Sequence, residues 1–235
     1  MTFRDRLLAT IRAARPVLAP AGALVVGSEV PNLLQPDAAS TLVVSQDLDV
    51  GVFVDRHAHL KKGLLELTDF VPSASEPSVW LPRTQGLLEL NFVGIDPLQD
   101  PSEAYVLHDD RLPLLVFGAL SLLTPGPVLD LEGVSVPLPR PAGALLEKLV
   151  TDRTGEKGER DLLVALGLLG LMSAADLEEL VSSFQGLRPE LRHAVRSNLT
   201  ILSLLEAREG MPDPRPHRRD VAALLGRLDA TEAGR

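Results

Sequence analysis

Asp47-Leu48-Asp49-Val50-Gly51-Val52-Phe53-Val54 alternates its side chains with a period of two. Leu48, Val50, Val52 and Val54 fall on one face, and Asp47, Asp49, Gly51 and Phe53 on the other, the pattern of a strand buried on its aliphatic side. Acids at i and i+2 of a strand point the same way, with Cα atoms about 6.6 Å apart. Both carboxylates can then reach one hard cation, or a pair of ions about 3.5–4 Å apart. An edge strand with a solvated face would carry the same pattern, so the two acids alone decide little.

Upstream, Ala23–Val26 is a short continuous apolar run that reads as a buried strand, and Gly27-Ser28 is the turn that ends it. Glu29–Leu34 reads as a short helix with Ser28 as its N-cap and Pro31 in the first turn. Such a step offers backbone N–H groups and a hydroxyl to a phosphate, although most strand-to-helix turns bind nothing. Before it, Phe3, Leu7, Leu8, Ile11 and Ala14 recur at helical spacing over residues 2–14, and Pro16 and Pro20 are expected to end that helix. Thr41–Val44 is expected as a further strand segment.

Downstream, residues 57–67 read as a short helix, 72–77 as a loop, and Leu87–Ile95 as a strand. Residues 96–111, rich in Asp and Pro, are expected at the surface. The apolar run near 112–124 is shorter than the roughly 18–20 residues that span a bilayer, and no other run is longer. Val128–Leu131 and Val134–Pro137 flank Glu132-Gly133, a hairpin signal. From 142 the pattern turns helical, over 142–149, 161–172, 173–184, 189–208 and 221–228, with Thr154–Glu159 as a polar loop. The expectation is an α/β (α+β) chain, with residues 1–141 as the mixed core and 142–235 as a helical C-terminal region.

Aromatic residues make up only 3% of a chain that is 45% apolar, so its core is aliphatic. A net charge of −9 opposes non-specific attraction to nucleic acid. The absence of cysteine excludes disulfides and thiolate metal sites. Met1-Thr-Phe-Arg-Asp-Arg lacks a signal peptide's apolar run, so the expected location is cytoplasmic, with no membrane partner. No serine-hydrolase elbow, Walker loop or dinucleotide glycine fingerprint is present.

Taken together, Val25-Val26-Gly27-Ser28 and Ser45-Gln46-Asp47-Leu48-Asp49-Val50 resemble the nucleotidyltransferase superfamily of the DNA polymerase β type. Its pattern is an apolar strand, Gly-Gly or Gly-Ser, a short helix, then an acid–apolar–acid strand. Val134–Pro141, Leu145-Leu-Glu-Lys148-Leu149, Arg153, Lys157 and Asp161-Leu162 look like the tail of the AbiEii-like bacterial nucleotidyltransferases, which include toxin components of toxin–antitoxin systems. The resemblance implies a small mixed sheet flanked by helices and two Mg²⁺ ions held by Asp47, Asp49, Glu89 and Asn91. It also implies a nucleoside triphosphate bound by Gly27, Ser28 and Lys148. The acceptor would be an RNA or a protein, and a cognate antitoxin a partner.

The third acid comes from the Leu88-Glu89-Leu90-Asn91-Phe92 strand, and here the chain departs from the family. Relatives tend to carry Asp at the position of Asn91, whereas Glu89 shares that face and could substitute. The distinction is chemical, because an amide cannot accept the proton that a carboxylate base removes. Asp47, Asp49 and Glu89 are therefore the candidate catalytic acids. The alternative is a degenerate nucleotidyltransferase-like fold kept for binding or regulation.

Other candidates have plainer readings. Lys148 is either the family's phosphate-proximal lysine or a snorkelling surface lysine paired with Asp152. His57 and His59 read as surface residues rather than metal ligands, and His108-Asp109-Asp110 as a solvated loop. Trp80 reads as a packing anchor. Arg215, Arg218 and Arg219 read as a solvated basic linker, with RNA or an acidic partner as the sharper possibility.

Overall fold

The computed structural model describes residues 2–20, 22–34, 47–151, 155–207 and 213–233. The strand expected at Thr41–Val44, together with Ser45, Asp152 and Arg153, lies outside them. The chain divides into two units, one of Met1–Val30 with Val44–Pro139, the other of Pro31–Val43 with Arg140–Arg235. The division thus falls between Pro139 and Arg140, against the expected 141, and residues 31–34 count with the helical unit.

In the first unit, helix α1 (Phe3–Ala13) opens on a capping box between Thr2 and Asp5 and buries Leu7, Leu8 and Ile11. Pro16 does not end the helical path: it sits in the first turn of a second helix, α2 (Arg15–Leu18), where its missing N–H has no helical partner to lose. Strand β1 (Ala23–Val26) is buried at all four positions. Helix α3 (Glu29–Leu34) follows the Gly27 turn.

Strand β2 (Asp47–Phe53) buries Leu48, Val50 and Val52 completely, as the alternation requires. A 3-10 turn at Val54–Arg56 leads into α4 (His57–Leu64). Strands β3 (Phe70–Pro72) and β4 (Val79–Pro82) then flank the expected Pro-Ser loop. They are too short, and too closely bounded by proline, for periodicity to reveal them. Strand β5 (Glu89–Ile95) is the central one.

β1 pairs antiparallel with β2, and β2 pairs parallel with β5 over seven residues, Asp47 to Phe53 against Glu89 to Ile95. The other edge of β5 is shared. Its beginning pairs with β4 through Val79↔Asn91 and Trp80↔Leu90. Its end pairs with β7 (Leu114–Phe117) through Val93↔Leu115 and Gly94↔Val116. Strand β6 (Ala104–Leu107) closes that side, antiparallel to β7. β7 comes from the apolar run 112–124. It buries Leu114 and Val116 and exposes Leu115 and Phe117, so its alternation is invisible in a sequence that is apolar at all four positions.

A separate hairpin joins β8 (Pro125–Leu131) to β9 (Val134–Pro139), with Leu131 opposite Val134. Its two-residue loop, Glu132-Gly133, has φ of 55° and 76°, the double positive φ of a type I′ turn. β9 packs on β1 and α1, and Arg4 and Arg12 of α1 reach Glu132 at 3.6 and 3.4 Å.

The second unit is helical. Helix α5 (Pro141–Val150) is its centre, buried at every position from Ala142 to Val150, with α6 (Gly155–Leu171), α7 (Ala174–Gly186) and α8 (Pro189–Leu204) packed on it. α9 (Arg218–Ala233) packs against α6, α7 and α8. Helix α6 begins at Gly155, inside the stretch expected as a polar loop, because Gly155 and Gly158 carry low propensity but no prohibition. Ser173 caps α7 in a capping box with Asp176, as its position predicts. The architecture is the expected mixed α+β, with a mixed sheet and a helical C-terminal region.

Candidate active site

The parallel register sets the site. In such a pair, residues opposite each other point to the same face, and Asp47 stands opposite Glu89 while Asp49 stands opposite Asn91. The two acids of β2 and the two polar residues of β5 therefore share one face at the start of both strands. Leu48, Val50, Leu90 and Phe92, on the opposite face, are buried at 0–1% exposure, which locks the polar face outward. Slipping either strand by one residue would bury its polar pair.

Asp49 is held from two sides. Asn91 Nδ2 donates to Asp49 Oδ1 at 2.8 Å. Oδ2 lies against Gly27, where an added Cβ would come within 2.5 Å of it. Gly27 has φ +83°, the left-handed region that favours glycine, so both its backbone and its missing side chain are needed here. β1 brings the turn to this place because Val26 pairs with Asp49.

The start of β5 is also anchored. Thr10 of α1 is fully buried, and its hydroxyl accepts from the Leu88 N–H at 2.8 Å while donating to the Arg6 carbonyl at 2.7 Å. Leu88 directly precedes Glu89, so α1 fixes where β5 begins, at the exposed Glu89. Nothing local in the sequence links residues 78 positions apart.

Ser28 is less available than expected. Its hydroxyl donates to Glu29 Oε1 at 3.2 Å, and Glu29 is 1% exposed. A buried acid in the first turn of α3 suits the positive end of that helix. An incoming phosphate would have to compete with it.

The oxygen donors of Asp47, Asp49 and Glu89 have the hardness that Mg²⁺ selects. Among the described residues, however, no three His, Cys, Asp or Glu side chains are grouped as a metal-holding set. Asn91 faces Asp49 with its N–H rather than its carbonyl. Asp47 and Asp49 contribute hard oxygen donors of the kind a divalent cation takes.

Lys148 lies in the helical unit and is 7% exposed, which rules out the snorkelling reading. Its ammonium pairs with Glu147 at 3.1 Å and Asp161 at 3.8 Å. His57 is buried, not at the surface, with Nε2 2.9 Å from the Leu112 carbonyl, whereas His59 is exposed, so the two form no common site. Asp109 is likewise no solvated loop residue. It pairs with Lys61 and accepts from the N–H groups of Arg111 and Leu112 at 2.9 and 3.0 Å. The Lys61 hydrogen bond, helped by those two N–H groups against the cost of burial, holds its carboxyl well below the usual range.

Trp80 packs edge-on against Phe92 with centroids 6.4 Å apart, as a packing anchor should. In the basic cluster, Arg215 forms a fork with Asp213, which pushes that carboxyl down to about 2, and Arg218 pairs with Glu206 at 2.6 Å. Much of the cluster's charge is thus answered locally. Among the described residues, no helix is long and apolar enough to cross a membrane.

No family model matches the sequence, and no curated protein matches it. Among solved structures, the chain is similar to the crystal structure of an antigenic nucleotidyltransferase-like protein from Paracoccidioides brasiliensis. The TM-score is 0.43 at 18% identity, over 82% of this chain and 93% of that one.

Proposed function

We propose that this chain is a nucleotidyltransferase whose working acids are Asp47, Asp49 and Glu89. The observation that supports the reading is the β2–β5 register, which puts Asp47, Asp49 and Glu89 on one face, with Asp49 against the Gly27 turn. Mg²⁺ bound with a nucleoside triphosphate would be held by Asp47 and Asp49, and would neutralise phosphate charge. Gly27 leaves room for the phosphates to approach the backbone, and Ser28 would turn its hydroxyl from Glu29 to them. Glu89, exposed at the rim, would take the proton from an RNA or protein hydroxyl as that oxygen bonds to the α-phosphorus and pyrophosphate leaves. Lys148, already paired within the helical unit, is given no part. The sequence resemblance to the AbiEii-like proteins, and no feature of the site, is what suggests a cytoplasmic toxin–antitoxin component with a cognate antitoxin.

A second reading, a nucleotidyltransferase-like protein kept for binding or regulation, is favoured by the Asn91–Asp49 hydrogen bond and the ungrouped acids. One experiment separates the two. The protein is incubated with each α-labelled nucleoside triphosphate, Mg²⁺, cell RNA and protein extract, and label is sought in RNA or protein. Transfer that is lost in Asp47→Asn and Asp49→Asn establishes the enzyme. Nucleotide-dependent thermal stabilisation without transfer establishes the binding protein, and neither signal rejects both.

A further inference from the structure

We infer that the outer edge of β6 is the surface through which two copies of this chain pair, antiparallel, about a two-fold axis at Tyr105. The inference stands apart from the proposed nucleotide site.

The ladder shows which backbone groups of β6 face outward. The Gly118 N–H donates to the Glu103 carbonyl at 2.7 Å, and Ala104 stands opposite Phe117. Bonded pairs alternate along an antiparallel ladder, so Tyr105 and Leu107 turn their backbone groups to β7. Ala104 and Val106 turn theirs to the open side, an edge that another strand can join. The other edge strands are guarded. β9 packs on β1, β3 is three residues long and ends at Pro72, and β8 and β9 carry prolines. β6, which reads Ala-Tyr-Val-Leu, has no charge, proline or bulge.

The edge also selects its occupant. Val106 stands opposite Leu115, and Ala104 opposite Phe117, so these side chains share one face. Val106, Leu115 and Phe117 are 41–46% exposed on it. A strand that joins there has to be apolar on that face and free of charge, and β6 itself is both. A two-fold axis normal to the sheet keeps each face on its own side, so the two apolar patches become one. Centred on Tyr105, the pairing sets Ala104 opposite Val106 of the second copy, with about four new hydrogen bonds. Glu103 then stands opposite Leu107 of that copy. Centred on Val106 instead, it would set Glu103 opposite Asp109, and like charges directly opposite are destabilising. Charge thus chooses the first register.

Sedimentation velocity of the full chain, with a melting curve for each protein, tests the pairing. So short an edge makes a weak dimer, and wild type is expected to pass from monomer to dimer within about 1–500 µM. Val106→Lys puts a charge on the edge, and Val106→Pro removes an outward N–H but no bond of the β6–β7 ladder. Each is expected to weaken dimerisation at least about tenfold. The chain has no cysteine, so Tyr105→Cys places a lone thiol at the axis. Opposed Cα atoms lie about 4.5 Å apart there, within disulfide reach. Oxidation by copper phenanthroline is expected to give a covalent dimer of Tyr105→Cys. Val106→Cys, roughly 8 Å from its equivalent in this register, is expected to give none. Should Val106→Pro melt early, Val106→Lys and the two cysteine variants still decide. A wild type that stays monomeric across the range overturns the inference. So does a dimer indifferent to Val106→Lys, or a cross-link at position 106 and not at 105.

Discussion

Asp47 and Glu89, 42 residues apart, stand opposite each other across parallel strands β2 and β5 and point to the same face. On the proposed reading, this juxtaposition favours Glu89 over Asn91 as the third acid. Asn91 spends its amide on Asp49, and Glu89 is the carboxylate that β5 offers to the solvent side of that face.

Glu89→Gln keeps the shape and removes the proton acceptor. We expect label transfer to fall by about 10²–10⁴-fold, the usual contribution of a positioned base, with nucleotide-dependent thermal stabilisation retained. Single-turnover rates alongside melting curves check both halves. Full activity in Glu89→Gln would remove it from the chemistry.

Gly27→Ala tests the turn. The new side chain must occupy a left-handed backbone at φ +83° and would meet Asp49 Oδ2 at 2.5 Å. The backbone term alone costs about 1–2 kcal/mol, and displacement of Asp49 adds to it. Urea unfolding should show a lowered midpoint at unchanged slope, and the response to nucleotide should weaken. A variant as stable and responsive as wild type would mean the turn tolerates what its geometry forbids.

Lys148→Met removes a buried cation that pairs with Glu147 and Asp161. Breaking a buried ion pair on one side typically costs about 3–5 kcal/mol. Denaturant unfolding of the full chain measures it. A change below about 1 kcal/mol, the range of an exposed pair, would contradict the burial.

Asp109 gives an acid-side signature. Its folded-state carboxyl is held below the unfolded value near 3.9, chiefly by the Lys61 hydrogen bond. A depressed carboxyl contributes stability that is complete above the unfolded value and is lost as pH falls toward the folded one. Stability should therefore decline below about pH 4, and Asp109→Asn should flatten that decline while lowering stability at pH 7. Parallel acid limbs in the two proteins, from urea melts at pH 2.5–5 (about the range where such carboxyls titrate), would show the pair does not matter.

The sequence alone carried the strands whose alternation mixes apolar with polar residues. β2 is legible because Asp47 and Asp49 interrupt Leu48, Val50 and Val52, and the β8–β9 hairpin because Glu132-Gly133 can adopt two positive φ values. Ser173 marks the start of α7 for a similarly local reason. β7 is not legible, since Leu114-Leu-Val-Phe117 is apolar on both faces and only pairing with β5 and β6 divides them. Within the site, sequence identified Gly27, Asp47, Asp49, Glu89 and Asn91 as candidates, because a strand's period of two states which residues share a face. It could not state which residue of one strand faces which of another. That register is set where Leu48, Val50, Leu90 and Phe92 are buried together and where Thr10 fixes Leu88, contacts made between distant parts of the chain. Only the tertiary structure therefore put Glu89 beside Asp47 and turned Asn91 toward Asp49.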